Sequence, residues 1–142
     1  MHKLVLPAAI CVTFAGIALA QVEASSSTYL LDVDTARYTS PASERLMLRV
    51  GDQPRHVTIG TQDEICVQLQ RLGNSEIISA RIRALRPEPQ DAAEVRLVAP
   101  DISPGTYRST PWGMLLRALP DKSANAGVSK ALGTDTAPVC TL

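Results

Sequence analysis

Few residues in this chain have the types and spacing that chemistry requires. Of its two histidines, His2 stands at the extreme start and His56 is alone in the remainder. A multi-histidine zinc, blue-copper or facial-triad centre needs several ligands in one place, so no metal is expected. As a general base His56 would need a hydroxyl or thiol nucleophile and an orienting carboxylate. No Gly-x-Ser-x-Gly elbow accompanies it, and a place beside Arg55 at a strand start suits an ordinary surface histidine. Asp32 and Asp34 lie two apart and would share a strand face, as a carboxylate pair or part of a calcium site. Calcium needs more oxygen ligands and usually a nearby glycine, which Thr35-Ala36-Arg37 does not provide. The plainer expectation is a solvated strand face. Asp63-Glu64, and Glu88 with Asp91, read as turn and surface charges. No catalytic residue and no cofactor is assigned.

The cysteines carry a clearer message. Residues 1–20 combine a basic start (Met1, His2, Lys3), an apolar run from Leu4 to Ala20 and the small-residue ending Ala18-Leu19-Ala20. This is the layout of a cleavable export signal, with cleavage near Ala20-Gln21. The run is interrupted by Pro7 and Gly16 and is short for a bilayer span, so no stable membrane span is expected after cleavage. Ile10 stands where a lipoprotein site places a small residue, which argues against lipidation of Cys11. Cys66 and Cys140 then remain as an even pair in an exported chain and are expected to form one disulfide. The expected location is periplasmic or secreted.

The charges balance, 14 Lys+Arg against 14 Asp+Glu, with no basic or acidic block, which disfavours a nucleic-acid partner. Only Lys3, Lys122 and Lys130 are lysines. Arg49, Arg81, Arg83, Arg86 and Arg96 fall on or beside outward faces. Arg81 and Arg83 share one, either gripping anions or pairing with Glu64, Glu76 and Glu94 on adjacent strands. Trp112, between Pro111 and Gly113, is a lid over one end of the core or a contact anchor. With Tyr107, Arg81 and Arg83 it completes the candidate contact set, because Trp, Tyr and Arg are the usual anchors of protein interfaces.

The elements that must position these residues are strands. Short apolar stretches recur at 29–33, 45–50, 56–59, 64–70, 76–85, 94–98, 106–109 and 114–119, divided by Gly, Pro, Asp and Asn. Ile65, Val67 and Leu69 alternate with polar neighbours, as do Ile78, Ala80, Ile82 and Ala84. The pattern predicts a small antiparallel β-sandwich of about seven or eight strands over residues 28–119. A flexible lead-in at 21–27 precedes it, and a surface loop with a disulfide-pinned C-terminal segment at 120–142 follows. Hairpins are expected across 45–60 and around Leu72-Gly73-Asn74-Ser75. A short helix would fit only at 126–132. Cys66 falls on the face opposite Ile65 and Val67, so the last residues should cross the outside of a sheet or pair with its edge. With one Phe in the chain, inside the leader, the core must be mainly Leu, Ile, Val and Ala.

The stretch Asp101-Ile102-Ser103-Pro104-Gly105-Thr106-Tyr107 resembles the turn-plus-tyrosine entry to a late strand in immunoglobulin-like and fibronectin-type sandwiches. The resemblance covers seven residues and implies a sandwich, with the Tyr107 phenol tied to upstream backbone; it implies no activity. The expected function is non-enzymatic protein binding: an accessory subunit of an envelope or surface assembly, or an inhibitor of an exported enzyme. The partner would be another exported or envelope protein. The alternatives are a small-ligand or carbohydrate-binding module and, third, a minor hydrolase using His56.

Overall fold

The computed structural model describes residues 27–35, 41–121 and 131–142. The leader at 1–20, most of the lead-in and the 126–130 part of the helix expectation lie outside the described residues. Among the described residues nine strands form: β1 (Thr28–Asp34), β2 (Ser43–Arg49), β3 (Arg55–Ile59), β4 (Asp63–Arg71), β5 (Ile78–Arg86), β6 (Ala93–Val98), β7 (Arg108–Ser109), β8 (Leu115–Pro120) and β9 (Leu132–Gly133). They make two sheets, ordered β7-β8-β1-β2-β9 and β3-β4-β5-β6. Every pairing is antiparallel except the short β2–β9 contact. The chain is a small β-sandwich, as the spacing of its apolar stretches predicts.

Alternation explains the core. Leu31 and Val33 of β1, Leu46 and Leu48 of β2, and Leu116 and Ala118 of β8 face inward from the five-stranded sheet. Ile65, Val67 and Leu69 of β4, with Ala80 and Ile82 of β5, meet them from the other sheet. Inward and outward positions alternate along each of these strands, because successive side chains on a strand point to opposite faces. Tyr29 is the buried aromatic in an otherwise aliphatic centre, and Trp112 packs against its margin.

Two local expectations are corrected. Residues 45–60 do not form a hairpin: β2 pairs with β1 while β3 pairs with β4, so the link between them is a corner from one sheet to the other. Backbone bonds from Val50 N to Ser27 O (2.8 Å) and from Gly51 N to Leu69 O (3.0 Å) hold that corner. Alternation places Leu48 and Val57 in the core in either arrangement, which is why it misled. Leu132, the end of the suggested helix, instead joins strand β9 beside Leu46. The turn after β4 does form, with Gly73 at φ +63°, a conformation cheap only for residues such as glycine.

The Cys66–Cys140 disulfide is present, with its Cα atoms 6.0 Å apart. Cys66 is fully buried although it lies on the outer face of β4, because the C-terminal segment covers it. That segment runs along the edge of β3: His56 N donates to Pro138 O (2.8 Å), Cys140 N donates to Pro54 O (3.1 Å), and Val139 bridges Arg55. Among the described residues, no helix is long and apolar enough to cross a membrane.

Candidate functional site

The outer face of the five-stranded sheet carries the most organised group of polar side chains. Asp32 lies on β1 directly opposite Arg45 on β2 and Arg117 on β8. Arg45 Nε donates to Asp32 Oδ1 at 2.6 Å and its Nη2 donates to Oδ2 at 3.0 Å, a two-pronged clamp. Arg117 Nε donates to Oδ2 from the other side at 2.6 Å. The Arg117 guanidinium lies over the Tyr107 ring, 4.7 Å from its centroid, so the row runs Arg45, Asp32, Arg117 across β2, β1 and β8 and ends on Tyr107, just before β7.

Electrostatics fixes the charge states. Burial alone would raise the Asp32 carboxyl, but the hydrogen bonds and charges of Arg45 and Arg117 outweigh it and hold the group below its ordinary value. Arg45 is held more firmly protonated, first by its hydrogen bond to Asp32. An ionised carboxylate whose two oxygens accept three donors has little capacity left for a proton or a metal. Asp32 is therefore neither a member of an acid–base pair nor part of a solvated face, since its side chain is only 13% exposed. It is the fastener that orients two guanidiniums. Asp34, Ser43 and Glu44 join the row around a cavity of about 340 Å³.

Tyr107 is 45% exposed. Among the described residues its phenol makes no hydrogen bond to upstream backbone, so the implied tyrosine tie is not found there; the ring supports Arg117 instead. The other expected contact residues lie elsewhere. Arg81 and Arg83 share the outer face of the opposite sheet, where Arg83 faces Cys66 and Arg81 faces Gln68 and Glu94. Trp112 sits at one end of the sandwich, half-buried against the core and beside Met114 and Arg86. The four do not make one site: a standard interface covers about 800 Å² per partner, one face of a domain this size rather than two faces and an end.

His56 Nε2 lies 2.7 Å from Glu64 Oε1, and Arg86 Nε lies 3.3 Å from Glu64 Oε2. Its cross-strand neighbour Cys66 is locked in the disulfide, so the nearest thiol is not available as a nucleophile. Asp63, expected at the surface, is buried. Glu88 and Asp91 are exposed, as expected. No group of three or more His, Cys, Asp or Glu among the described residues could hold a metal ion. The residues that sequence reasoning missed are Arg45 and Arg117. Their signal was their position in predicted strands, but the register joining Arg117 to a residue 85 positions earlier is not a local property.

Comparison with protein-family models, with curated proteins and with solved structures returns no match.

Proposed function

We propose that this chain is an exported, non-enzymatic binding protein whose contact surface is the outer face of the five-stranded sheet, centred on Tyr107 and Arg117. The supporting observation is the row Arg45–Asp32–Arg117–Tyr107. It presents an exposed aromatic ring and a guanidinium already immobilised by charge-assisted bonds. Pre-ordering such side chains removes part of the entropy cost that binding otherwise carries, and Tyr and Arg are the residue types that dominate interface energetics. Arg117 stands on strand β8 and Tyr107 immediately precedes β7, so the strand framework anchors the row. The partner is another exported or envelope protein, in an envelope or surface assembly or as an exported enzyme under inhibition. The disulfide is compatible with an oxidising compartment, and the leader-like segment 1–20 supports export to the periplasm or the medium.

Cross-linking of the oxidised protein in extracts of its own source tests this. A dominant partner should be lost with Tyr107→Ala and retained with Arg81→Ala, which alters the opposite face. Equal capture by both variants would refute the assignment of the face. A second reading, a small polar ligand or sugar, is favoured by the cavity of about 340 Å³ beside Tyr107. Saturable glycan-dependent protection of Tyr107 from chemical modification, without any protein partner, would select it.

A further inference from the structure

The four-stranded sheet ends at β6, and no strand lies beyond it among the described residues. Among the described residues, the backbone of 93–98 makes no hydrogen bond outside its ladder with β5. A groove of about 520 Å³ runs along this edge, between Glu94, Val95 and Arg96 on one side and Ile102, Arg108 and Pro111 on the other. Unpaired edges invite strand addition, and proteins usually blunt them with charged side chains, bulges, proline or a covering loop. This edge carries opposite charges two residues apart. Glu94 and Arg96 are both exposed and point to the outer face, and among the described residues no carboxylate lies within ion-pair distance of Arg96.

We propose that β6 is a self-complementary edge that pairs antiparallel with β6 of a second copy around a two-fold axis at Val95. An isologous contact brings each residue opposite its symmetry mate, so a match at one position is made twice. With Val95 on the axis, Glu94 faces Arg96 of the second copy and Arg96 faces its Glu94. On the core side Val95 meets Val95 and Ala93 meets Leu97, so apolar residues oppose apolar ones and ions oppose ions. A shift by one residue places Glu94 against Val95 and forfeits both matches.

The resulting order across the outer face is Arg81, Glu94, then Arg96 of the second copy, since Arg81 and Glu94 are already register partners. The five-stranded sheet repeats this arrangement within one chain, where Asp32 stands between Arg45 and Arg117 on adjacent strands. Two four-stranded sheets would thus become one of eight strands. The two copies would present two Tyr107 faces, although the dimer does not depend on what those faces bind.

Sedimentation equilibrium on the oxidised protein from about 1 to about 300 µM tests the pairing, a range suited to a contact of one strand per copy. The mass should rise from one chain to two. Glu94→Arg or Arg96→Glu alone sets two like-charge pairs across the axis and should weaken dimerisation by about tenfold or more. The double reversal E94R/R96E recreates both pairs in the opposite sense and should restore it. Both side chains are exposed, and circular dichroism checks that the variants fold. Hydrogen exchange of the wild-type β6 amides, slower at high concentration than at low, gives a variant-free readout. A mass of one chain throughout, a dimer indifferent to the single reversals, a double reversal without rescue, or unchanged β6 exchange would each overturn the proposal.

Discussion

Removing the Cys66–Cys140 bond should cost this protein a large part of its stability. The bond joins residues 74 positions apart. In the chain-entropy description a loop of that length restricts the unfolded ensemble by about 4.4 kcal/mol at 25 °C. Cutting it leaves the backbone ties from Pro138 and Cys140 to β3, and the Arg55 Nη1 bond to Ala137 O at 2.9 Å. Those bonds contribute about 1 kcal/mol each in the folded state and do nothing to restrict the unfolded one. Chemical reduction keeps both sulfurs in place, so it isolates the cross-link at about 4 kcal/mol. The Cys66→Ala/Cys140→Ala variant also empties the fully buried Cys66 site, adding about 1 kcal/mol. For a domain of this size the reduced protein should melt about 20 °C below the oxidised one. Urea denaturation and scanning calorimetry on the three forms measure both differences. If reduction changes stability by less than about 1 kcal/mol, the native state is already strained by the bond or the unfolded chain is already compact, and the entropic reasoning fails.

Further outcomes are expected at the site and at the turn after β3. Asp32→Asn removes the charge that separates two guanidiniums and should destabilise the fold by about 2 kcal/mol, which equilibrium unfolding at neutral pH would register. Because the folded carboxyl is depressed below its ordinary value, its contribution is full above that value, 3.8, and is lost as pH falls through the lowered one. The acid limb of the stability curve should therefore be shallower in Asp32→Asn than in the wild type, and identical limbs would show that Asp32 is not the group responsible. Gly60→Ala should cost more than about 1 kcal/mol: φ is +65° there, and an added Cβ would come within 2.6 Å of the Ala42 Cβ. A melting temperature at or above that of the wild type would refute this.

The longer strands were legible in the sequence because they carry their own period-two signal, whereas two-residue β7 and β9 carry none. Ile65, Val67 and Leu69 declare an inward face without reference to any other segment, and all three are fully or almost fully buried. The disulfide was legible for a different reason, since only two cysteines stand outside the leader-like segment. The candidate site was hardly legible at all. Asp32 alternates correctly with Leu31 and Val33, but alternation cannot tell a solvated carboxylate from one held between arginines. Tyr107 was singled out by residue type and by its place after a turn, and its role as the support for Arg117 depends on the pairing of β7 with β8.

The sequence by itself determined which side of each longer strand is apolar, where most turns fall and which cysteines can meet. These are local or combinatorial properties of a chain whose side chains alternate every residue. Only the tertiary structure decided that β2 and β3 belong to different sheets, that β8 returns beside β1, and that β6 is left as an edge. Strand pairing over such separations is chosen by the packing of both sheets around one core, a global free energy to which every strand contributes. The Arg45–Asp32–Arg117 row is a product of that choice, because three residues far apart in sequence become neighbours only when β2, β1 and β8 align in register.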